Sequence, residues 1–85
     1  MHFEATQRFE KDYRKLPSEI KNQFQKKLLL IVSNPNHPSL RHCKMAGCED
    51  IFEFSVTMNY RATYQRVGDV AYLRRIGTHD ILSRP

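Results

Sequence analysis

Two side chains of opposite charge occupy positions that favour a shared sheet face. Residues 51–57 alternate apolar and polar side chains with a period of two, and residues 60–65 do the same. This pattern predicts two strands joined by a tight turn at residues 58–59. The pairing brings Glu53 next to Arg61 on the polar face. An acid beside a guanidinium in a sheet is either a structural ion pair or part of a site.

A third candidate is His79, which follows the last predicted strand. Metal-free cleavage of RNA needs a base for the ribose 2′-hydroxyl, a cation for the charge on phosphorus, and an acid for the leaving 5′-oxygen. Glu53, Arg61 and His79 suit these three tasks, because a histidine exchanges protons near neutrality. The alternative is a cross-strand pair worth up to about 1 kcal/mol and an ordinary surface histidine.

Further cations lie at Arg41 and Lys44, and at Arg74 and Arg75 in the last predicted strand. For Arg74 and Arg75 both solvated charge and phosphate contact remain open. Lys and Arg outnumber Asp and Glu by 14 to 9, which gives a net charge of +5. A basic domain of this size suggests an acidic partner, either nucleic acid or an acidic protein segment, with ordinary solubility as the alternative.

Other kinds of site find little support. His37, His42, Cys43 and Cys48 are zinc-ligand types, but their spacing matches no finger or ribbon. No glycine-rich phosphate loop is present, so we expect neither a metal nor a small-molecule cofactor. Two cysteines are few for a secreted scaffold, no apolar run is long enough to span a membrane, and the N-terminus lacks a signal-peptide pattern. We therefore expect a cytoplasmic protein with reduced thiols and no membrane partner.

The first half of the chain predicts a strand and two helices. Residues 1–5 form a candidate strand, and the Thr6 hydroxyl is suited to cap the following helix. Pro17 breaks that helix, since the residue before a proline is disfavoured in helical conformation. Ser18 is a candidate cap for a second amphipathic helix over about residues 19–32. The two helices predict an antiparallel hairpin. Their apolar stripes need a partner, and the apolar face of the later sheet is the expected one.

The second half predicts strands. Residues 40–45 indicate a short strand or extended segment, and residues 70–76 a further strand after the central pair. Alternation in that last strand would put Tyr72 and Ile76 on one face and Leu73 on the other. The predicted class is α+β, with an N-terminal strand, a helical hairpin, and a three- to four-stranded mainly antiparallel sheet carrying the helices on one face.

Four pieces of the sequence carry a family resemblance. They are the helix with its Leu-Pro break at residues 9–17, the loop at 34–41, the strand pair at 51–64, and the closing Gly-x-His at 76–80. In this order they resemble toxins of the RelE/ParE superfamily, from bacterial type II toxin–antitoxin modules. The resemblance spans nearly the whole chain, so it implies that residues 1–85 form a single toxin domain.

The resemblance implies a basic groove on the sheet face opposite the helices. It implies a ribosome-dependent endoribonuclease, an mRNA interferase that cleaves mRNA in the translating A site by 2′-hydroxyl attack on the adjacent phosphate. By this analogy Glu53 is the base, Arg61 steadies the scissile phosphate and His79 is the acid. Arg41 and Lys44 would face the RNA. A cognate antitoxin would wrap the toxin.

Some relatives share this fold without the nuclease groups and poison gyrase. Glu53 and His79 argue against that branch. Ser55 departs from the many relatives that carry another basic residue on this strand. The rival hypothesis is therefore a binding protein of the same shape that inhibits gyrase or only pairs with an antitoxin.

Overall fold

The computed structural model describes all of residues 1–85, and it confirms the predicted α+β class. Helices and strands follow one another as β1 (His2–Ala5), α1 (Gln7–Arg14), α2 (Ser18–Ser33), β2 (Cys43–Lys44), β3 (Ile51–Ser55), β4 (Tyr60–Val67) and β5 (Val70–Thr78). Two short 3-10 helices cover Pro38–Leu40 and His79–Ser83. Neither α-helix combines the length and the apolar character that a membrane crossing requires.

The five strands form one sheet in the order β1-β5-β4-β3-β2. Strands β2 to β5 pair antiparallel with their neighbours, as the short connections between them predict. The predicted first strand exists, and it pairs parallel with β5. A parallel pair needs a long crossover, which the helices and strands β2 to β4 supply here. The first and last strands of the chain are therefore neighbours in the sheet.

Thr6 joins the first helix to the sheet. Its hydroxyl oxygen accepts a hydrogen bond from the Phe9 amide at 3.2 Å, which confirms the predicted N-cap of α1. The same hydroxyl donates to the Leu73 carbonyl in β5 at 2.8 Å. One side chain thus caps the helix and fixes its start against the last strand.

The predicted cap of the second helix is wrong. Pro17 occupies the N-cap position, and Ser18 is already the first residue of α2. The Pro17 carbonyl accepts from the amides of Ile20 and Lys21 at 3.0 and 3.1 Å, so the first helical turn is built on the proline. No side chain caps this helix.

The core lies between the helices and one sheet face. Phe9 of α1 and Phe24 of α2 are buried with ring centroids 5.3 Å apart, and Phe24 stacks on Phe54 of β3 at 6.2 Å. Phe54 and Val56 are buried, which confirms the apolar row predicted for this segment. Each such side chain contributes about 1.5–3 kcal/mol through burial.

A bulge in β5 divides the strand into two halves. The register between β4 and β5 shifts, so Arg74 has no cross-strand partner. Leu73 and Ile76 are therefore both buried although three positions separate them, at 4% and 2% exposure. Tyr72 is exposed on the other face. The predicted alternation, with Tyr72 and Ile76 on one face, is wrong because it assumed an unbroken period of two.

Helix α1 covers the edge of β5 beyond the bulge. Strand β1 ends at Ala5, opposite Leu73, and leaves the rest of this edge unpaired. Asp12 fills the gap: its Oδ2 accepts from the Ile76 amide at 3.2 Å and from Arg75 Nε at 2.7 Å. Unpaired strand edges invite association with other chains, and this contact closes one.

Candidate functional site

Arg61 is the centre of the polar sheet face. Its Nη2 lies 3.1 Å from Glu53 Oε1, and the two side chains are only 18% and 13% exposed. Its Nη1 donates a second hydrogen bond to the Ser55 hydroxyl. The expected contact between Glu53 and Arg61 is therefore present, and the guanidinium is held from two sides. Such a preorganised cation is suited to an anion because little entropy is lost on binding.

The surface beside Arg61 is open because its cross-strand neighbours are small. Ser55 lies opposite it on β3 and Gly77 on β5. Gly77 also allows the following 3-10 helix to fold back closely, since a Cβ there would lie 2.9 Å from Ile81 Cγ2. Ile81 is buried and anchors this helix, whose first residue is the exposed His79. The close approach of Ile81 to Gly77 therefore fixes where the 3-10 helix begins, and with it the backbone of His79.

These features form an open cleft of about 640 Å³, termed here the first cleft. It is lined by Arg41, Met58, Asn59, Arg61, Thr78, His79 and Asp80. Two of the three proposed catalytic residues, Arg61 and His79, thus share one cavity with Arg41. Glu53 does not line it, and reaches it only through its contact with Arg61.

Arg41 enters the first cleft from a strained turn. It follows the 3-10 helix Pro38–Leu40 with φ 45° and ψ 42°, the left-handed region. This conformation costs about 1–3 kcal/mol for a residue with a side chain. Strain of this kind often accompanies functional sites, where the surrounding fold offsets it. The sequence contained no direct signal for it beyond the proline-rich loop.

Lys44 lies apart from these residues. It pairs with Phe52, so it belongs to the sheet face that carries the helices. Its neighbour Cys43 pairs with Glu53 and shares the polar face instead. Burial raises the pKa of the Cys43 thiol, the Glu53 carboxylate raises it further, and Arg61 acts in the opposite direction. The thiol is therefore a neutral neighbour of the ion pair at physiological pH.

Arg74 and Arg75 do not reach the first cleft either. Arg75 is bound to Asp12, and the pair is 16% exposed on both sides. Arg74 donates from Nη1 to Gln65 Oε1 at 2.9 Å and from Nε to the Pro85 carbonyl at 3.0 Å. Both side chains contribute to a separate cavity.

Sequence reasoning missed three polar residues of the first cleft, Asn59, Thr78 and Asp80. Asn59 belongs to the connection between β3 and β4, and Thr78 and Asp80 flank His79 in the chain. The only sequence signal for these residues was their position next to a candidate or a turn, because a residue adjacent to a site in the chain often lines it. No group of three or more His, Cys, Asp or Glu side chains is arranged to hold a metal ion.

The sheet order, the two helices on one face and the β1–β5 pairing define the fold of the RelE/YafQ-like toxins. Structures with this fold include YafQ from E. coli, with 16% identity, TM-score 0.76 and 94% of each chain covered. RelE in the E. coli RelBE toxin–antitoxin complex has 25% identity and TM-score 0.71, covering 91% of this chain and 94% of that one.

A third similar structure is the RelB–RelE antitoxin–toxin complex from Methanococcus jannaschii. It shares 20% identity with TM-score 0.73, covering 98% of this chain and 95% of that one. No family sequence model and no curated sequence matches the chain. The likeness therefore rests on the fold, which confirms the architecture that the sequence motifs implied.

Proposed function

We propose that this chain is the toxin of a toxin–antitoxin module and cleaves mRNA on the ribosome as a metal-independent endoribonuclease. The observation that carries the proposal is the first cleft, in which Arg61 and His79 face one open space while Glu53 is bonded to Arg61. The likeness in fold to YafQ and RelE supports it.

In this mechanism the RNA strand lies in the first cleft with a phosphate against Arg61. The guanidinium stabilises the charge that develops on the phosphate as the 2′-oxygen attacks, and Arg41 adds a second cation. Glu53 takes the proton of the 2′-hydroxyl, and His79 gives a proton to the departing 5′-oxygen. The products are a 2′,3′-cyclic phosphate and a free 5′-hydroxyl, so all protons and bonds balance.

The contacts and exposure of the three side chains fit these roles. Arg61 is held in place by Glu53 and Ser55, so its charge is fixed before RNA arrives. His79 is exposed, and no other side chain bonds to it, so both its ring nitrogens are free to meet RNA. Glu53 is the least exposed of the three. The 2′-hydroxyl must therefore approach its carboxylate past the Arg61 guanidinium. Lys44 lies on the other face and takes no part in this pose.

The proposed partners are translating mRNA and a cognate antitoxin in the cytoplasm. RelE is seen with RelB, and YafQ with DinJ, in structures that share this fold. An antitoxin would need to cover or distort the first cleft to neutralise the toxin. The two arginines that line it, Arg41 and Arg61, suit an acidic segment as well as RNA.

The test is induced expression in a bacterial host, followed within minutes by primer extension on total RNA. Wild-type protein is expected to stop growth and produce discrete mRNA cuts, and His79→Asn to do neither while keeping its thermal unfolding midpoint. The cuts should vanish when translation initiation is blocked. Intact mRNA would contradict the proposal. If the purified protein also stops gyrase from supercoiling DNA, the rival hypothesis is favoured.

A further inference from the structure

A second cleft lies on the same sheet, away from the first. It has a volume of about 580 Å³ and is lined by Thr6, Arg8, Cys48, Ile51, Arg74, Arg75, Arg84 and Pro85. Four of its eight lining residues are arginines and none is acidic. It shares no lining residue with the first cleft. We term it the arginine cleft.

Two of the four arginines in the arginine cleft have no ionic partner. Asp12 neutralises Arg75, as described above. Arg74 is fixed by the Gln65 amide oxygen and by the main-chain oxygen of Pro85. The side chains of Arg8 and Arg84 are exposed and form no hydrogen bond or ion pair. These two cations therefore border one cavity without a counter-charge.

The arginine cleft is placed to act together with the first cleft. Both are lined in part by β5: Thr78 borders the first cleft, and Arg74 borders the arginine cleft. Four residues along a strand span about 13 Å, a distance that a short stretch of extended RNA can bridge. The N-terminus of α1, at Thr6, adds the positive end of the helix dipole to the cavity.

We propose that the arginine cleft binds backbone phosphates of an RNA strand at positions away from the cut bond. This inference rests on the proposed RNA substrate and extends it to a second contact site. Only two of the eight lining residues are hydrophobic, so an acidic peptide would bury little apolar surface there. A phosphodiester needs only charge and the planar donor fork that guanidinium groups present.

The experiment measures RNA binding without cleavage. The probe is a labelled uridine oligonucleotide with 2′-O-methyl groups at every position, which removes the attacking hydroxyl. Affinity is measured against salt concentration for the wild type, for Arg8→Gln/Arg84→Gln, and for the control Lys11→Gln/Lys26→Gln. The control loses the same charge at two exposed lysines that line neither cleft.

The arginine variant is expected to lose two phosphate contacts. For single strands each contact contributes about 0.7 to the slope of log affinity against log salt, so the slope should fall by about 1.4. Between about 50 and 200 mM salt, the wild type should therefore lose about seven-fold more affinity than this variant. The lysine control should keep the wild-type slope.

Equal losses in the two variants, or none in either, would overturn the proposal. So would tight binding of a polyglutamate peptide that depends on Arg8 and Arg84 while RNA binding does not. A protein that binds through the arginine cleft yet cuts no mRNA would end the proposed activity and leave this site standing.

Discussion

Glu53→Gln separates two roles that the ion pair allows. Glutamine keeps an oxygen that can accept from Arg61 at the observed 3.1 Å, but it cannot take a proton. If Glu53 only positions Arg61, the ion pair becomes a hydrogen bond from the guanidinium to an uncharged amide oxygen. The difference is about 1 kcal/mol, or roughly five-fold in rate. If Glu53 is the base, the cleavage rate should fall by about 10²–10⁴-fold. We expect the larger loss.

The assay is single-turnover cleavage of a defined mRNA on purified ribosomes, with the cuts read by primer extension. Glu49→Gln is the matched control, because Glu49 is exposed, carries the same group and lines neither cleft. Thermal unfolding of both variants checks that the fold persists. A loss smaller than ten-fold in Glu53→Gln would refute its role as the base and leave it as a positioning residue for Arg61.

Three further predictions concern stability and thiol reactivity around the site. Asp12→Ala removes the carboxylate that binds Arg75 and the β5 edge, and should lower the free energy of unfolding by about 1.5–3 kcal/mol in urea titrations, whereas no change would contradict the edge contact. Burial raises the pKa of the Tyr64 hydroxyl. The unfolded chain therefore releases this proton first, and stability should fall as pH rises above about 10. Tyr64→Phe should lack that fall, at a cost of about 1 kcal/mol at neutral pH for its lost hydrogen bond. Glu53→Gln should lower the pKa of the Cys43 thiol, so in a protein without the other cysteine iodoacetamide should alkylate Cys43 faster, and an unchanged rate would show that the two groups do not interact.

Features set by neighbouring residues were predictable from the sequence. The Thr6 cap needs only a hydroxyl at the start of an apolar stripe, and the structure confirms it. Glu53 and Arg61 both lie on the polar face, as the alternation of the two strands predicts, and they are in contact. The tight turn predicted at residues 58–59 is wrong, because four residues, 56–59, connect β3 to β4 and place Ser55 opposite Arg61. Local rules failed at Ser18, where a proline carbonyl rather than a side chain starts the helix.

Features that join distant parts of the chain could not be predicted. The parallel pairing of β1 with β5 depends on which strand edge remains free after the rest has folded. The ion pair between Asp12 and Arg75 depends on that pairing. The same holds for the arginine cleft, whose members Arg8 and Arg84 come from opposite ends of the sequence. Residue types flagged Arg74 and Arg75, but nothing local indicated that they would occupy a cavity apart from His79.

The unpaired Arg74 shifts the inward–outward alternation of side chains in β5 by one residue. Before it, odd positions such as Leu73 point into the core, and after it even positions such as Ile76 do so. Deletion of this single residue would remove the bulge but keep the pairs Leu73–Tyr64 and Arg75–Thr63, so Leu73 and Ile76 would both still face the core. His79 would keep its place at the end of β5. A relative that lacks one residue here would therefore be expected to lose an arginine from the arginine cleft while its first cleft stays the same.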